Sequence, residues 1–155
     1  EELIRTLQKT IAQIEARKRA TIIKEKIQKE DPLEKIKTIL LEADSRGKMN
    51  VYLRKALEHI QRFYMEDLTV KDVAASLFIS ESYLTKLFKQ EINITFIEYL
   101  TQVRIRKSIE LMRDISLPIY GIAERVGYKD YRYFSAIFKK MIGITPKEYR
   151  QKLLE

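Results

Sequence analysis

Arg132 is the side chain best suited to recognise a partner by directional chemistry. Near the start of an exposed helix, a guanidinium can donate two hydrogen bonds at once, the pattern that guanine O6 and N7 accept in a major groove. Its plainer use is a phosphate contact or a surface ion pair. Tyr131, Ser135 and Ala136 fall on the same helical face, and an alanine there can touch a thymine methyl group. A second set of the same kind stands earlier in the chain: Ser82, Thr85 and Lys86 share a face, and Glu81 can accept from cytosine N4. Short hydroxyls bond to many partners, so this set is expected to read sequence weakly or through water. Lys89, Lys129, Lys139, Lys140, Lys147 and Arg150 are better matched to phosphates, which fix register without reporting sequence. Residues 125–152 hold eight basic side chains against two acidic ones, which concentrates the positive footprint around the later set.

Other chemistries lack their residues. The chain has no cysteine and one histidine, His59, so thiolate metal sites, disulfides and a cysteine nucleophile are excluded. Neither clustered His and carboxylates nor a Gly-rich phosphate loop is present, so the expectation is a protein that is not an enzyme, with no catalytic residue, no metal and no cofactor. Thirty Lys and Arg against 22 Asp and Glu give a net charge of +8, pointing to a polyanion such as nucleic acid or an acidic membrane surface. The basic helix expected over residues 15–29 lacks the aromatic anchors that membrane binding favours. No apolar run reaches a membrane span, and Glu1-Glu2 stands where a signal peptide would be basic. A cytoplasmic location is expected. The missing initiator Met suggests a fragment or processed product.

The elements that position these side chains are helical. Four Gly and three Pro in 155 residues, of which 45% are hydrophobic and 34% charged, favour long helices with few connections. Residues 1 to about 30 read as one helix with Ile4, Leu7, Ile11 and Ile14 at three-four spacing, where Lys18 interrupts the seam. Two heptads fall short of the three or four that secure a coiled coil. Asp31-Pro32-Leu33-Glu34 starts a second helix carrying Leu33, Ile36, Leu40 and Ala43, which stops near Gly47. The domain boundary is placed at Gly47 to Asn50, giving a helical linker over 1–48 and a denser domain over 49–155.

That domain begins with a helix from Val51 to about Tyr64, with Leu53, Leu57, Ile60 and Phe63 or Tyr64 inward and His59 off the stripe. Thr69 and Asp72 form a capping box for a short helix with Val73, Ala74 and Leu77. Ser80 caps the next, to about Glu91, with Leu84, Leu87 and Phe88 inward. Thr95 and Glu98 cap a helix to about Arg113, with Ile97, Leu100, Val103 or Arg104, Lys107 or Ser108 and Leu111 along it, roughly 27 Å long at 1.5 Å per residue. Pro118 starts a helix that Gly127 ends. Asp130 caps one with Phe134, Ile137, Phe138 and Met141 inward, and a capping box at Thr145 and Glu148 opens the last from Pro146. Tyr133, Phe134, Phe138 and Tyr149 are spaced as core, not as a base-stacking platform.

The second half of this domain repeats the first. A shift of 49 sets Ala74 on Ala123 and Leu77 on Val126; after one extra turn residue, a shift of 50 sets Ser80 on Asp130, Tyr83 on Tyr133, Leu84 on Phe134, Phe88 on Phe138, Lys89 on Lys139, Thr95 on Thr145, Glu98 on Glu148 and Tyr99 on Tyr149. Each copy is a short helix with an inward Ala, a tight turn, a capped helix with a polar outer face, and a capped third helix. This is helix-turn-helix grammar.

Leu68-Thr-Val-Lys-Asp-Val-Ala74, Ser80-Glu-Ser-Tyr-Leu-Thr-Lys-Leu-Phe88-Lys, Tyr99-Leu-Thr-Gln-Val-Arg-Ile105, Ile122-Ala-Glu-Arg-Val-Gly-Tyr128, Tyr133-Phe-Ser-Ala-Ile-Phe-Lys-Lys140 and Gly143-Ile-Thr-Pro-Lys-Glu-Tyr-Arg150 resemble the DNA-binding domain of the AraC/XylS transcription regulators. The resemblance covers about residues 50 to 150. It implies an all-α fold with two helix-turn-helix units on a linking helix, and a bacterial regulator that places its two recognition helices in successive major grooves. Three departures stand out: Asn93 where the family has Gly, Ser108 where Ala is common, and Gly121 inside a helix. Glu1-Glu2-Leu-Ile-Arg-Thr-Leu resembles the last helix of a response-regulator receiver domain running into a linker; a solvated linker of any multidomain regulator fits equally. The partners expected are double-stranded DNA, RNA polymerase, an upstream receiver or sensor domain, and a second copy of the chain through residues 1–30, with no membrane.

Overall fold

The computed structural model describes residues 2–29, 38, 41, 47 and 49–155. The chain divides into two compact parts, 1–35 and 36–155. The first contains α1 (Glu2–Lys29), a single helix as its spacing requires. The helix expected after Asp31 lies outside the described residues except for Thr38 and Leu41, both helical, and Gly47 has the left-handed φ of 62° expected at its end.

The second part is built from α2 (Val51–Phe63), α3 (Val70–Ser76), α4 (Glu81–Leu87), a π-helical turn (Phe88–Ile92), α5 (Phe96–Leu111), α6 (Ile119–Arg125), α7 (Tyr131–Ile142) and α8 (Pro146–Leu154). Among the described residues there is no strand. Asn50 caps α2, its Oδ1 accepting from the amides of Tyr52 at 2.8 Å and Leu53 at 3.4 Å. Leu53, Ala56, Leu57 and Ile60 are buried, and α2 packs on α3, α4 and α5. His59 is half-buried against the ring of Phe63.

Both copies of the repeat close in the same way. Ala74 and Ala123 are buried, and their carbonyls accept from Ile79 N at 3.1 Å and Tyr128 N at 2.9 Å, folding each turn back over its first helix. That turn demands positive φ, which Gly127 supplies at 100°. In the first copy Phe78 takes φ 58° instead, a costly conformation for a bulky residue, and leaves its ring 97% exposed. Asn93 adopts φ 53°, serving where the second copy has Gly143 at φ 90°.

Thr69 accepts from Asp72 N at 3.1 Å as expected, but no full capping box forms: the shorter Asp72 carboxylate takes the Thr69 hydroxyl proton, not its amide. The boxes built with glutamate are complete. Thr95 N donates to Glu98 Oε2 at 2.7 Å and Thr145 N to Glu148 Oε2 at 2.7 Å, each reciprocated to the threonine hydroxyl. The threonine amides, and then the hydroxyls, hold both carboxyls below the usual range. A carboxyl with a depressed folded-state pKa contributes fully above its unfolded value, about 4.3, and that contribution disappears as pH falls through the folded value. Thermal melts should therefore lose stability on acidification below about pH 5, and Glu98→Gln with Glu148→Gln should flatten that slope. An unchanged slope would show that the boxes do not titrate.

Helix α5 corrects two expectations. It ends at Leu111, not Arg113, because Asp114 Oδ1 accepts from Ser116 N at 3.0 Å and from its hydroxyl, setting a turn in place of a further helical one. Its buried residues are Phe96, Tyr99, Leu100, Val103, Ile105 and Ser108, while Ile97 faces solvent. The helix is covered on two sides, by α2 and by α6, so no single stripe describes it. Ser108 is fully buried and satisfies its hydroxyl on Ile105 O at 2.6 Å. Ile105 and Met112, from α5 and its end, join Ile122, Ala123, Val126, Tyr128, Phe134 and Phe138 of the second copy in one core cluster. Complete burial of an aromatic such as Phe134 stabilises by about 1.5–3 kcal/mol.

Candidate nucleic-acid interface

Each unit presents one helix anchored by its apolar side and started by a side-chain cap. Ser80 Oγ accepts from Tyr83 N at 3.1 Å, and Leu84 and Leu87 bury the inner face of α4. Glu81, Ser82, Thr85 and Lys86 are left exposed on the outside, followed by Lys89 on the π turn. The π turn widens the backbone where a regular helix to Glu91 was expected, and Phe88 and Ile92 bury its inner side. In the second unit, Asp130 Oδ1 accepts from Arg132 N at 2.7 Å and Tyr133 N at 3.3 Å. Phe134 and Phe138 hold α7 to the core. Tyr131, Arg132, Ala136, Lys139 and Lys140 are exposed and Ser135 is half-buried. The Tyr131 ring lies 6.4 Å from that of Phe134, which ties an exposed phenol to a buried anchor.

The residues expected on phosphates divide into two groups. Lys89, Lys129, Lys139, Lys140 and Lys147 are exposed. Lys129 stands 3.9 Å from Asp67, but both side chains are about nine-tenths exposed, and such a pair contributes little. Arg150 differs: it is half-buried, and its guanidinium donates to Leu117 O at 2.5 Å and Asp114 O at 3.5 Å. It ties α8 to the loop after α5, and those two donors are engaged within the chain.

Two residues expected inward face outward. Tyr133 is 58% exposed, with its ring tilted against that of Tyr128 at 6.0 Å, and Met141 is exposed as well. Their expected core places rested on spacing, and Phe134 and Phe138 already fill the inner face of α7.

Three features had no side-chain pattern to reveal them. Asn50 ties the start of α2 to the first unit, through Nδ2 to Tyr83 Oη at 3.2 Å and its amide to Glu91 Oε2 at 3.2 Å. Tyr52 stacks edge-on against Tyr83. Arg104 donates to backbone carbonyls remote in sequence.

The description of a helix-turn-helix domain fits residues 73–152 of the chain. The C-terminal domain of AraT, a response regulator from Geobacillus stearothermophilus, has a similar structure, with a TM-score of 0.65 and 42% identity over 68% of this chain and 88% of that one. The C-terminal domain of the two-component response regulator yesN from Fusobacterium nucleatum gives a TM-score of 0.58 at 38% identity, covering 61% of this chain and 93% of that one. Among curated proteins, the transcriptional regulatory protein HptR of Staphylococcus aureus is 35% identical over 98 residues, 63% of this chain and 38% of HptR. A response regulatory protein of Staphylococcus epidermidis is 36% identical over 100 residues. The chain thus spans about two fifths of the length of the curated relatives it matches.

Proposed function

Since the chain belongs to the AraC-type helix-turn-helix family of DNA-binding transcription regulators, we propose that it binds duplex DNA sequence-specifically with α4 and α7 in successive major grooves. The observation that carries this reading is the duplicated unit: two capped helices with buried inner faces and polar outer faces, in units that share α5, which packs on α2 and on α6. In this reading Arg132 reads guanine, with Tyr131, Ser135 and Ala136 beside it. Glu81, Ser82, Thr85 and Lys86 read the other groove more permissively. Lys89, Lys129, Lys139, Lys140 and Lys147 hold phosphates.

Helix α5 has 16 residues and so rises about 24 Å, against about 34 Å between successive major-groove faces. The offset of α4 and α7 from its axis and modest bending of the duplex supply the remainder. Footprinting tests the pairing of the units: protection should extend beyond one helical turn, about 10 bp. Protection confined to a half-turn at saturating protein would refute simultaneous binding.

Residues 1–48 serve, in the same proposal, as a helical linker from an upstream receiver domain, which agrees with the response regulators among the similar proteins. RNA polymerase is the partner through which bound protein would act on transcription, and the cytoplasm is where it would do so.

A further inference from the structure

Arg104 lies on α5 between the two units and touches both. Its Nε donates to Tyr64 O at 2.7 Å and its Nη2 to Glu66 O at 2.7 Å, the carbonyls of the loop that leads from α2 into the first unit. That loop is itself folded, with Glu66 N on Phe63 O and Leu68 N on Glu66 O, both at 2.9 Å. The same guanidinium carbon stands 5.3 Å from the centroid of the Tyr128 ring, in the turn of the second unit. The contact is close: a Cβ at Gly127 would lie 2.9 Å from Cζ, Nε and Nη2 of Arg104. Glycine at 127 therefore answers two demands, the positive φ of the turn and the space the guanidinium occupies.

The tie continues into α7. Tyr128 is buried, and its ring packs on those of Phe134 at 5.5 Å and Tyr133 at 6.0 Å. Tyr64 packs on the core cluster of the second unit, and Asp67 meets Lys129 at 3.9 Å, so the loop of one unit adjoins the turn of the other along a continuous seam. Burial lowers the Arg104 pKa below the ordinary guanidinium value and raises that of the Tyr128 phenol.

We propose that Arg104 is a positioning residue that fixes the orientation of one helix-turn-helix unit relative to the other, and so sets the subsite spacing that the protein prefers on DNA. This rests on the two-groove reading above. A planar fork that donates to two carbonyls while stacking on a ring is a task for Arg, which Lys cannot perform: a single ammonium neither forks nor stacks in that way.

Two measurements on the full chain test it, with Arg104→Lys as the conservative variant and Arg104→Met as a second. First, affinity is measured on a duplex selected from a random pool and on the same duplex with 2 bp inserted between the subsites. Wild-type protein should discriminate between them, and the variants should reduce that ratio by about fivefold or more, the low end of ordinary coupling between sites. Second, the absence of native cysteine allows spin labels at Ala75→Cys on α3 and Glu124→Cys on α6, both exposed. Their distance distribution without DNA should be narrow in the wild type and broader in the variants. Should Arg104→Met fail to fold, Arg104→Lys carries both measurements. An unchanged spacing ratio together with an unchanged distribution overturns the proposal. Wild-type protein that selects no site, or ignores the insertion, overturns the two-groove reading, and the label distances then still decide whether Arg104 holds the units together.

Discussion

Arg132→Ala should weaken binding to a selected site by about 1–3 kcal/mol and relax the choice of base at one position. The expectation rests on how the side chain is rooted. Arg132 is the second residue of α7, its amide is held by Asp130 at 2.7 Å, and Phe134 and Phe138 bury the opposite face. The guanidinium thus leaves the helix from a fixed origin into solvent, the condition under which a two-pronged donor discriminates one base edge from another. Lys140, at the other end of α7, gives the contrast. A lone ammonium there has only charge to offer a phosphate, so Lys140→Ala should weaken selected and random duplexes alike and reduce the slope of log K against log salt by about 0.9. Titrations of both variants on both duplexes at several salt concentrations separate the roles. If Arg132→Ala loses equally on selected and random DNA and flattens the salt slope as Lys140→Ala does, Arg132 is a backbone contact and α7 reads sequence through other residues.

The legible part of this fold is the part written in local rules. The glutamate capping boxes at Thr95 and Thr145, the caps Ser80 and Asp130, the inward Ala74 and Ala123, and the left-handed Asn93 and Gly143 depend on residues within a few positions of one another. The repeat then supplies the tertiary grammar, because two copies with the same caps and the same turn must fold alike. Spacing fails where a helix is covered from more than one side. On α5 it favoured Ile97, which is exposed, and passed over Phe96, Tyr99 and Ile105, which are buried beside the expected Leu100, since both units use that helix. It fails again on α7, where Phe134 and Phe138 fill the inner face and Tyr133 is left outside. Arg104 and Arg150 were illegible for a different reason. Spacing left Arg104 as an alternative to Val103 and charge matched Arg150 to phosphates, but the partners of both are main-chain carbonyls, which every residue carries and no pattern marks. The exposed reading faces needed only the caps and the anchors. The ties that orient one unit against the other needed the fold.

On a duplex carrying two copies of its site, the full chain should bind about 10²–10⁴ times more tightly than residues 50–155 alone, while the two should bind a single copy alike. The reason lies on α1, where Ile4, Ile11 and Ile14 are 59%, 55% and 48% exposed along one seam. In sequence Leu7 completes two heptads, with Ile or Leu at every core position, until Lys18 takes the next. Two heptads bury too little for a stable pair at micromolar concentration, so free protein should sediment as a monomer. Once two chains occupy adjacent sites, pairing becomes effectively intramolecular, and the same short seam suffices. Residues 50–155 should fold unaided, since α2 begins at its own cap on Asn50 and the buried residues of α2–α8 close on one another. Sedimentation of both chains, free and on one-site and two-site duplexes, decides the matter. A stable dimer free in solution would mean that the seam extends past Lys18. Equal affinities of the two chains for the two-site duplex would remove α1 from assembly altogether, and a 50–155 segment that does not fold would overturn the boundary at Gly47 to Asn50.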